Sequence, residues 1–207
     1  HRPKDGMAFI NKDDPWLARR GASMKKAWRY GFKAAKAHVK GMNLKLNELA
    51  CPRFEVKAVA KKEFDVRLST PGIHNAQNAL AAAAVGLAFK VPPAKIHKAL
   101  VGFSATSKRT EVLRVDGITV INDTYNANPN SVYSALQTLK AMNTTGKKIA
   151  VLADMLELGS HAEEEHRAVG KAVKDAGIEY LLTFGPLSKQ TSESAQVRFK
   201  VHYDQKN

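Results

Sequence analysis

Two stretches in the first half of the chain have hydrophobic patterns typical of β-strands. Residues 55–68 alternate apolar with polar side chains at period two, with Val56 and Ala58 followed by Phe64 and Val66. This pattern predicts an antiparallel hairpin. Residues 6–11 predict a short strand that ends at Asn11, and Pro15 predicts either a break or the start of a helix. Residues 30–39 are mixed and basic and predict no element.

Helical patterns follow the hairpin. Residues 75–90 are rich in alanine and leucine, which favours a helix, and Pro92 and Pro93 stop it before a second helix at 94–101. The loop at 102–108 is rich in serine, threonine and glycine and is the best candidate for a domain boundary. We therefore predict a domain at 1–105 and another at 106–207.

The second half of the chain has a different order of predicted elements. Short apolar runs alternate with helical stretches, which predicts a mostly parallel sheet with right-handed crossovers and places the chain in the α/β class. The predicted strands are 118–122, 148–153, 180–184 and 197–201, and the predicted helices are 131–142, 161–176 and 188–195. Because the chain begins without methionine and stops just after the fourth strand, we expect it to be truncated at both ends.

The composition of the chain indicates where the protein is located and which kinds of molecule it binds. One cysteine, Cys51, cannot form an intramolecular disulfide, and neither a signal peptide nor a membrane segment is evident, so we expect a cytoplasmic protein with no membrane partner. We also expect a monomer. The net charge of +14 favours anionic partners such as nucleotides or nucleic acids. Since the cations are dispersed and the basic region 25–45 has few aromatic residues, we expect no nucleic-acid binding.

Polar side chains gather at the start of the predicted helix at 75–90. His74 precedes Asn75 and Asn78, which are three residues apart and therefore share a helix face. Paired carboxamides can donate to and accept from an adenine edge. The alternative is that an asparagine at this place only caps the helix.

A second polar run, residues 122–129, follows a predicted parallel strand, where open α/β sheets bind ligands. Asp123 can accept hydrogen bonds from ribose hydroxyls or hold a cation, and Asn126 and Asn128 suit a peptide-like substrate. The alternative is an Asx-rich turn with Asn130 or Ser131 as the cap of the next helix. Arg109, beside the predicted domain boundary, can reach a phosphate or ribose, although a solvated arginine is the default.

A third run, residues 154–159, again places acidic residues after a strand. His161 and His166 lie downstream, but their spacing of five does not match the i, i+4 spacing of a zinc-binding helix, so we predict no metal site there.

Taken together and in this order, the clusters resemble the Mur ligase family, most specifically the members that add D-alanyl-D-alanine to UDP-N-acetylmuramoyl-tripeptide. The resemblance covers nearly the whole chain and rests on residues 11–14, 72–75 with 78–81, Arg109, 122–129 and 154–159. It implies that the chain holds the tail of a central ATPase domain and most of a Rossmann-like carboxyl-terminal domain. It also implies a ligase of peptidoglycan precursor synthesis that uses ATP and Mg²⁺ and forms its amide bond through an acyl phosphate.

The resemblance also implies roles for individual residues. It places Asn75 and Asn78 near adenine, with His74 beside them and Asn11 as a weaker contributor. It implies that Arg109 and Asp123 hold ribose or phosphates. It also implies that Asn126 and Asn128 face the dipeptide and the reaction centre. The two patches are expected to converge on one cleft.

The chain departs from the family pattern in one respect. It contains no G-x-x-x-x-G-K-[ST] loop, since Gly146-Lys147-Lys148 leads into a predicted strand, and the metal ligands are expected mainly upstream. We therefore expect the 207 residues alone to be inactive. The alternatives are another Mur ligase, a folylpolyglutamate-type ligase, or a non-catalytic nucleotide-binding module. The sequence does not specify the third residue of the acceptor peptide.

Overall fold

A computed structural model describes residues 6–59, 62–104 and 108–204. The chain divides into two compact units, one made of residues 1–47 and 51–104 and the other of residues 48–50 and 105–207. The predicted boundary loop at 102–108 lies partly outside the described residues. Within the described part, no helix is both long and apolar enough to cross a bilayer.

The first unit packs helices against a mixed sheet. Its described strands are β1 (Ala8–Asn11), β2 (Ala27–Gly31), β3 (Val39–Leu46), β4 (Pro52–Ala58) and β5 (Lys62–Arg67), and its described helices are α1 (Pro15–Arg20), α2 (Ile73–Ala88) and α3 (Pro93–Val101). The strands are ordered β1-β2-β3-β4-β5. Strands β1 to β3 run parallel, whereas β3, β4 and β5 are antiparallel neighbours.

The hairpin, the first strand and both helices predicted in this unit are confirmed, and Pro15 begins α1. Helix α2 buries a stripe that includes Ala76, Leu80, Ala83 and Leu87, spaced three or four residues apart, so its small side chains allow it to lie close to the sheet. Strands β2 and β3 were not predicted, because their basic residues interrupt the apolar pattern.

The second unit contains a parallel sheet with helices packed on one face, and a separate two-stranded ribbon. Its described strands are β6 (Glu111–Val115), β7 (Ile118–Asn122), β8 (Ile149–Ala153), β9 (Tyr180–Phe184) and β10 (Phe199–Tyr203), and its described helices are α4 (Pro129–Ala141), α5 (Ala162–Asp175) and α6 (Lys189–Ser194). Strands β8, β9 and β10 form a parallel sheet in the order β10-β9-β8, which confirms the α/β class.

The prediction that residues 118–122 belong to the parallel sheet is wrong. Strand β7 pairs antiparallel with β6, a strand that was not predicted, in a two-stranded ribbon. The chain reverses at Asp116 and Gly117, whose φ angles are +48° and +79°. Two successive positive φ angles define the tight turn that matches the twist of a hairpin, and Asp-Gly is its typical sequence.

In the second unit, one helix start and one strand differ from the prediction by two residues. Helix α4 begins at Pro129 rather than at Ser131, since Asn128 caps it. The last strand covers Phe199–Tyr203 rather than 197–201, because Val197 packs against the helix-side core instead of joining the sheet.

The parallel sheet is packed on one face in the described part of the chain. Ala150, Leu181 and Thr183 are buried in the core with α5, whereas Val151 and Phe184, which point to the other face, are 72% and 47% exposed. The apolar runs of these strands therefore predicted their position but not their uneven burial.

Candidate functional site

The start of α2 carries three of the predicted site residues. Gly72 is the N-cap residue, with a φ angle of +104°, and no side chain caps the helix. Asn75 donates from Nδ2 to the Pro71 carbonyl at 2.7 Å, so its amide group holds the turn that leads into the helix. The suggestion that an asparagine caps the helix is thus wrong for the N-cap position itself, although Asn75 does stabilise the first turn.

The remaining polar groups at this helix start have different environments. His74 is half-buried, and Asn78, one turn further along, is exposed. The Asn78 side chain makes no hydrogen bond to the residues that the structure describes. An exposed carboxamide can bind a ligand that offers both acceptors and donors.

Asn11 and the residues after it hold together the carboxyl ends of β1 and β2. Asn11 Oδ1 accepts from the backbone N–H of Asp13 at 3.0 Å. The Asp13 carboxylate in turn accepts from the backbone N–H groups of Phe32 and Lys33 at 2.6 and 3.0 Å. A Cβ on Gly31 would lie 2.5 Å from Asp13 Oδ1, so the site requires a glycine. Asn11 therefore has an observed structural role, and its ligand role stays a prediction.

Asp123 closes the open end of the β6–β7 ribbon. Its Oδ1 accepts from the backbone N–H of Thr110 at 2.8 Å and from Thr110 Oγ1 at 3.4 Å. Thr110 is buried and has a φ angle of +50°. These bonds use one carboxylate oxygen of the half-buried Asp123 and leave the other available for a ligand.

Arg109 lies in the same segment as Asp123. Its guanidinium carbon is 3.9 Å from the centroid of the Tyr125 ring, and the Tyr125 backbone N–H donates to the Lys108 carbonyl at 3.0 Å. Both side chains are exposed, so the stack presents a cation with a fixed orientation at the surface. The structure thereby brings Arg109 and Asp123 together with Tyr125, a residue for which the sequence analysis predicts no role.

Asn126 and Asn128 have different environments. Asn126 is exposed, and among the described residues its Oδ1 accepts only from the next backbone N–H, that of Ala127, at 3.0 Å. Asn128 accepts from the Ser131 N–H at 2.9 Å, and Ser131 Oγ accepts from the Asn128 N–H at 3.0 Å. This reciprocal capping box fixes the start of α4 and corrects the prediction that Asn130 or Ser131 is the cap.

The acidic run after β8 is anchored by buried hydrogen bonds. Asp154 accepts from the Ser188 N–H at 2.6 Å. His166, which is fully buried, accepts at Nε2 from the Met155 N–H at 3.0 Å and donates from Nδ1 to the Ala162 carbonyl at 2.6 Å. No group of three His, Cys, Asp or Glu residues in the described ranges is arranged to hold a metal ion.

Burial raises the pKa of three side chains. It raises the pKa of the Tyr30 phenol, with an added contribution from the charge of Asp13, and it raises the pKa of the Tyr133 phenol, with a smaller contribution from Glu165. Burial also raises the pKa of the Cys51 thiol, whose Sγ donates to the Ser69 carbonyl at 3.2 Å. Cys51 is therefore held as a neutral, hydrogen-bonded thiol, in keeping with a structural role.

The sequence matches two domain profiles of one family. Residues 1–86 match the Mur ligase middle domain, and residues 108–206 match the Mur ligase, glutamate ligase domain. Both matched segments correspond to the units described above. The chain belongs to the Mur ligase family.

Individual relatives share one name. The chain is 32% identical, over 94% of its length, to the UDP-N-acetylmuramoyl-tripeptide--D-alanyl-D-alanine ligase of Escherichia coli, and 38% identical, over 65% of its length, to the protein of the same name in Bacillus subtilis. The matched parts are 43% and 31% of those relatives, so the chain spans less than half of their length.

Solved structures of MurF proteins have the same fold as this chain. The crystal structure of MurF from Acinetobacter baumannii superposes with a TM-score of 0.83 at 27% identity and covers 96% of this chain and 43% of its own. MurF from Thermotoga maritima in complex with ADP gives a TM-score of 0.79 over 96% of this chain and 44% of its own; at 21% identity it shows the fold alone.

Proposed function

We propose that the protein carrying this chain is a cytoplasmic ATP-dependent ligase that joins D-alanyl-D-alanine to UDP-N-acetylmuramoyl-tripeptide in peptidoglycan precursor synthesis. One observation carries the proposal: relatives of that name match the chain across both domains, at 32% identity over 94% of its length in one case. In this reaction ATP converts the substrate carboxylate to an acyl phosphate, which the dipeptide amine attacks with release of phosphate.

Helix α2 is proposed to bind the adenine of ATP. Asn78 supports this role because its carboxamide is exposed and makes no hydrogen bond to the described residues. Asn75 positions the helix start through its bond to Pro71, and His74 lies beside it. Asn11 is retained as a weaker contributor, since its side chain also supports the Asp13 backbone.

The segment after β7 is proposed to hold the polar parts of the substrates. The Arg109 guanidinium, stacked on Tyr125, supplies a fixed positive charge for phosphate or ribose oxygens. Asp123 can accept a ribose hydroxyl through the oxygen that Thr110 does not use. Asn126 offers an exposed carboxamide to the dipeptide, and Asn128 contributes by fixing the start of α4, which positions Asn126.

Magnesium accompanies ATP in the proposed reaction, where a divalent cation neutralises charge on the phosphates. The described residues include no cluster of three potential ligands for it. We therefore assign no residue of this chain to the metal and derive no step through it.

The deciding experiment uses the protein as its gene encodes it, with UDP-N-acetylmuramoyl-tripeptide, ATP, Mg²⁺ and D-alanyl-D-alanine. We expect release of phosphate together with a pentapeptide product detected by mass spectrometry. Turnover with L-alanine, D-glutamate or a diamino acid, each tested with the correspondingly shorter UDP-N-acetylmuramoyl acceptor, would assign another Mur ligase activity. Turnover with folate and glutamate would assign a folylpolyglutamate-type activity. Nucleotide binding without any turnover would favour a non-catalytic module. The 207 residues alone are expected to release no phosphate in the same assay.

Asp123 is tested in the same assay by Asp123→Asn, which removes the charge but keeps an oxygen for Thr110. We expect kcat/KM for ATP to fall at least tenfold, which corresponds to about 1.4 kcal/mol of lost transition-state stabilisation. The matched control is Asp116→Asn at the other end of the ribbon, where asparagine tolerates the positive φ angle. Equal effects of the two substitutions, or none for Asp123→Asn, would remove the assignment.

A further inference from the structure

Helix α1 displays apolar side chains to solvent. Trp16 and Leu17 are 76% and 45% exposed, and no residue of α1 is buried. A helix that contributes to a core turns such side chains inward. Packing within the described residues therefore does not explain why a tryptophan and a leucine lie side by side on this short helix.

Cations surround these apolar side chains. Arg19 and Arg20 lie three and four residues after Trp16, so they are its neighbours on the helix surface, and both are exposed. Neither forms an ion pair with the residues that the structure describes. The two nearest carboxylates in sequence accept hydrogen bonds from backbone N–H groups: Asp13 from Phe32 and Lys33, and Asp14 from Leu17.

We propose that α1 is a contact surface for an anionic lipid bilayer. Trp16 and Leu17 insert at the level of the headgroups, where amphipathic rings are favoured, and Arg19 and Arg20 bind acidic headgroups. The net charge of +14 attracts the whole chain to the same surface. This contact is peripheral, in keeping with the lack of a spanning helix among the described residues, and it departs from the sequence-based expectation of no membrane partner because exposure is visible only in the structure.

The composition of the surface favours lipid over single-stranded nucleic acid. Nucleic-acid strands bind along a basic groove in which several aromatic side chains stack on successive bases. Helix α1 offers one aromatic ring, and its apolar neighbour Leu17 cannot stack on a base in that way. A tryptophan beside an aliphatic residue and two arginines fits the interface of a bilayer instead.

The first test measures binding to vesicles with the protein as its gene encodes it. The variant Trp28→Phe removes the other tryptophan of the 207 residues, which is half-buried and stacked on His38, and the difference between its spectrum and that of Trp16→Phe/Trp28→Phe isolates the Trp16 emission. Vesicles of phosphatidylglycerol mixed with phosphatidylcholine are expected to shift the Trp16 emission to the blue and to sediment the protein, more weakly as salt rises. Vesicles of phosphatidylcholine alone are expected to do neither.

The second test compares matched variants. Trp16→Ser should weaken vesicle binding at least tenfold, and the double variant Arg19→Ser/Arg20→Ser about 25-fold, since each cation near an anionic surface contributes about fivefold. One control is Phe89→Ser, which replaces a 68% exposed aromatic residue at the C-cap of α2. The other is Lys95→Ser/Lys98→Ser on α3, which removes the same charge as the arginine double variant. Both controls should change binding by less than about threefold.

Three results would overturn the proposal. The first is that the unaltered protein does not bind the anionic vesicles, and the second is that control and test variants weaken binding equally. The third is that Trp16→Ser weakens binding to a single-stranded oligonucleotide and not to vesicles. Because the substituted α1 residues are exposed, we expect the variants to stay folded, so that changes in binding do not arise from unfolding. Far-UV circular dichroism checks that each variant is folded.

Discussion

His166 provides a sharp test of how the second unit is held together. It is 0% exposed, accepts from the Met155 N–H at 3.0 Å and donates to the Ala162 carbonyl at 2.6 Å. The substitution His166→Ala removes both bonds and the ring. The Met155 N–H then stays buried without an acceptor, because Met155 itself is 2% exposed.

The expected loss follows from two contributions. An orphaned buried N–H costs about 1–3 kcal/mol. The void left by the imidazole adds about 1–2 kcal/mol, on the basis of roughly 24 cal/mol per Å³ of residual cavity. The Ala162 carbonyl loses little, since it lies in the first turn of α5 and can accept from the helix backbone. The free energy of unfolding of this unit should therefore fall by about 2–5 kcal/mol.

Hydrogen exchange of the amides in α5, β8 and β9 measures this loss in the second unit alone. The matched control is His161→Ala, because the His161 side chain is 75% exposed and its Nδ1 lies 3.8 Å from Glu164 Oε2, so the free energy of unfolding should change by less than about 0.5 kcal/mol. If His166→Ala changes the free energy of unfolding by less than about 0.5 kcal/mol, the assigned hydrogen bonds do not stabilise the unit. An equal loss of unfolding free energy for His161→Ala would show that the loss does not come from the burial and hydrogen bonds of His166.

Three further predictions concern other sites. Asp13→Ala leaves two backbone N–H groups without their acceptor and should lower the free energy of unfolding of the first unit by about 1–3 kcal/mol in urea, measured by tryptophan fluorescence; no change would contradict the bonding pattern. Tyr30 should ionise above its ordinary pKa of 10.0 in a spectrophotometric titration, and Asp13→Asn should lower that pKa without fully restoring it, because burial is the larger cause. Since the unfolded phenol loses its proton first, stability should fall as pH rises above 10.0 through the pKa of folded Tyr30, and Tyr30→Phe should reduce this fall. Gly117→Ala at φ +79° should cost about 1–2 kcal/mol, whereas Gly146→Ala should cost less than half as much; equal costs would refute the turn assignment.

Local patterns predicted several elements of the fold correctly. The period-two alternation at residues 55–68 identified the β4–β5 hairpin, since Phe54, Val56 and Val66 do face the core. The alanine and leucine stripe identified α2 for the same reason. Strand β6 was missed, although the Asp-Gly pair at 116–117 was available as a hairpin signal.

The candidate site was predicted in part. The sequence identified Asp123, Arg109 and the asparagines as a polar run near a strand end, and the structure gives Asp123 and Arg109 a shared setting through Thr110, Lys108 and Tyr125. Their roles toward ATP and the dipeptide remain predictions. The cap role of Asn128 was assigned to its neighbours, because Asn128, Asn130 and Ser131 are all good N-caps and sequence alone does not rank them.

The sequence by itself determined the α/β class, the family and most helices, because these depend on periodicity, propensity and motifs that act over a few residues. Only the tertiary structure decided which runs pair with one another and how each polar group is used. Strand β7 joined β6 instead of the parallel sheet, His166 became a buried bridge, and Trp16 was left exposed. Those outcomes depend on contacts between residues distant in sequence. Different pairings fit the local sequence pattern equally well, and burial and hydrogen-bond satisfaction determine which of them forms.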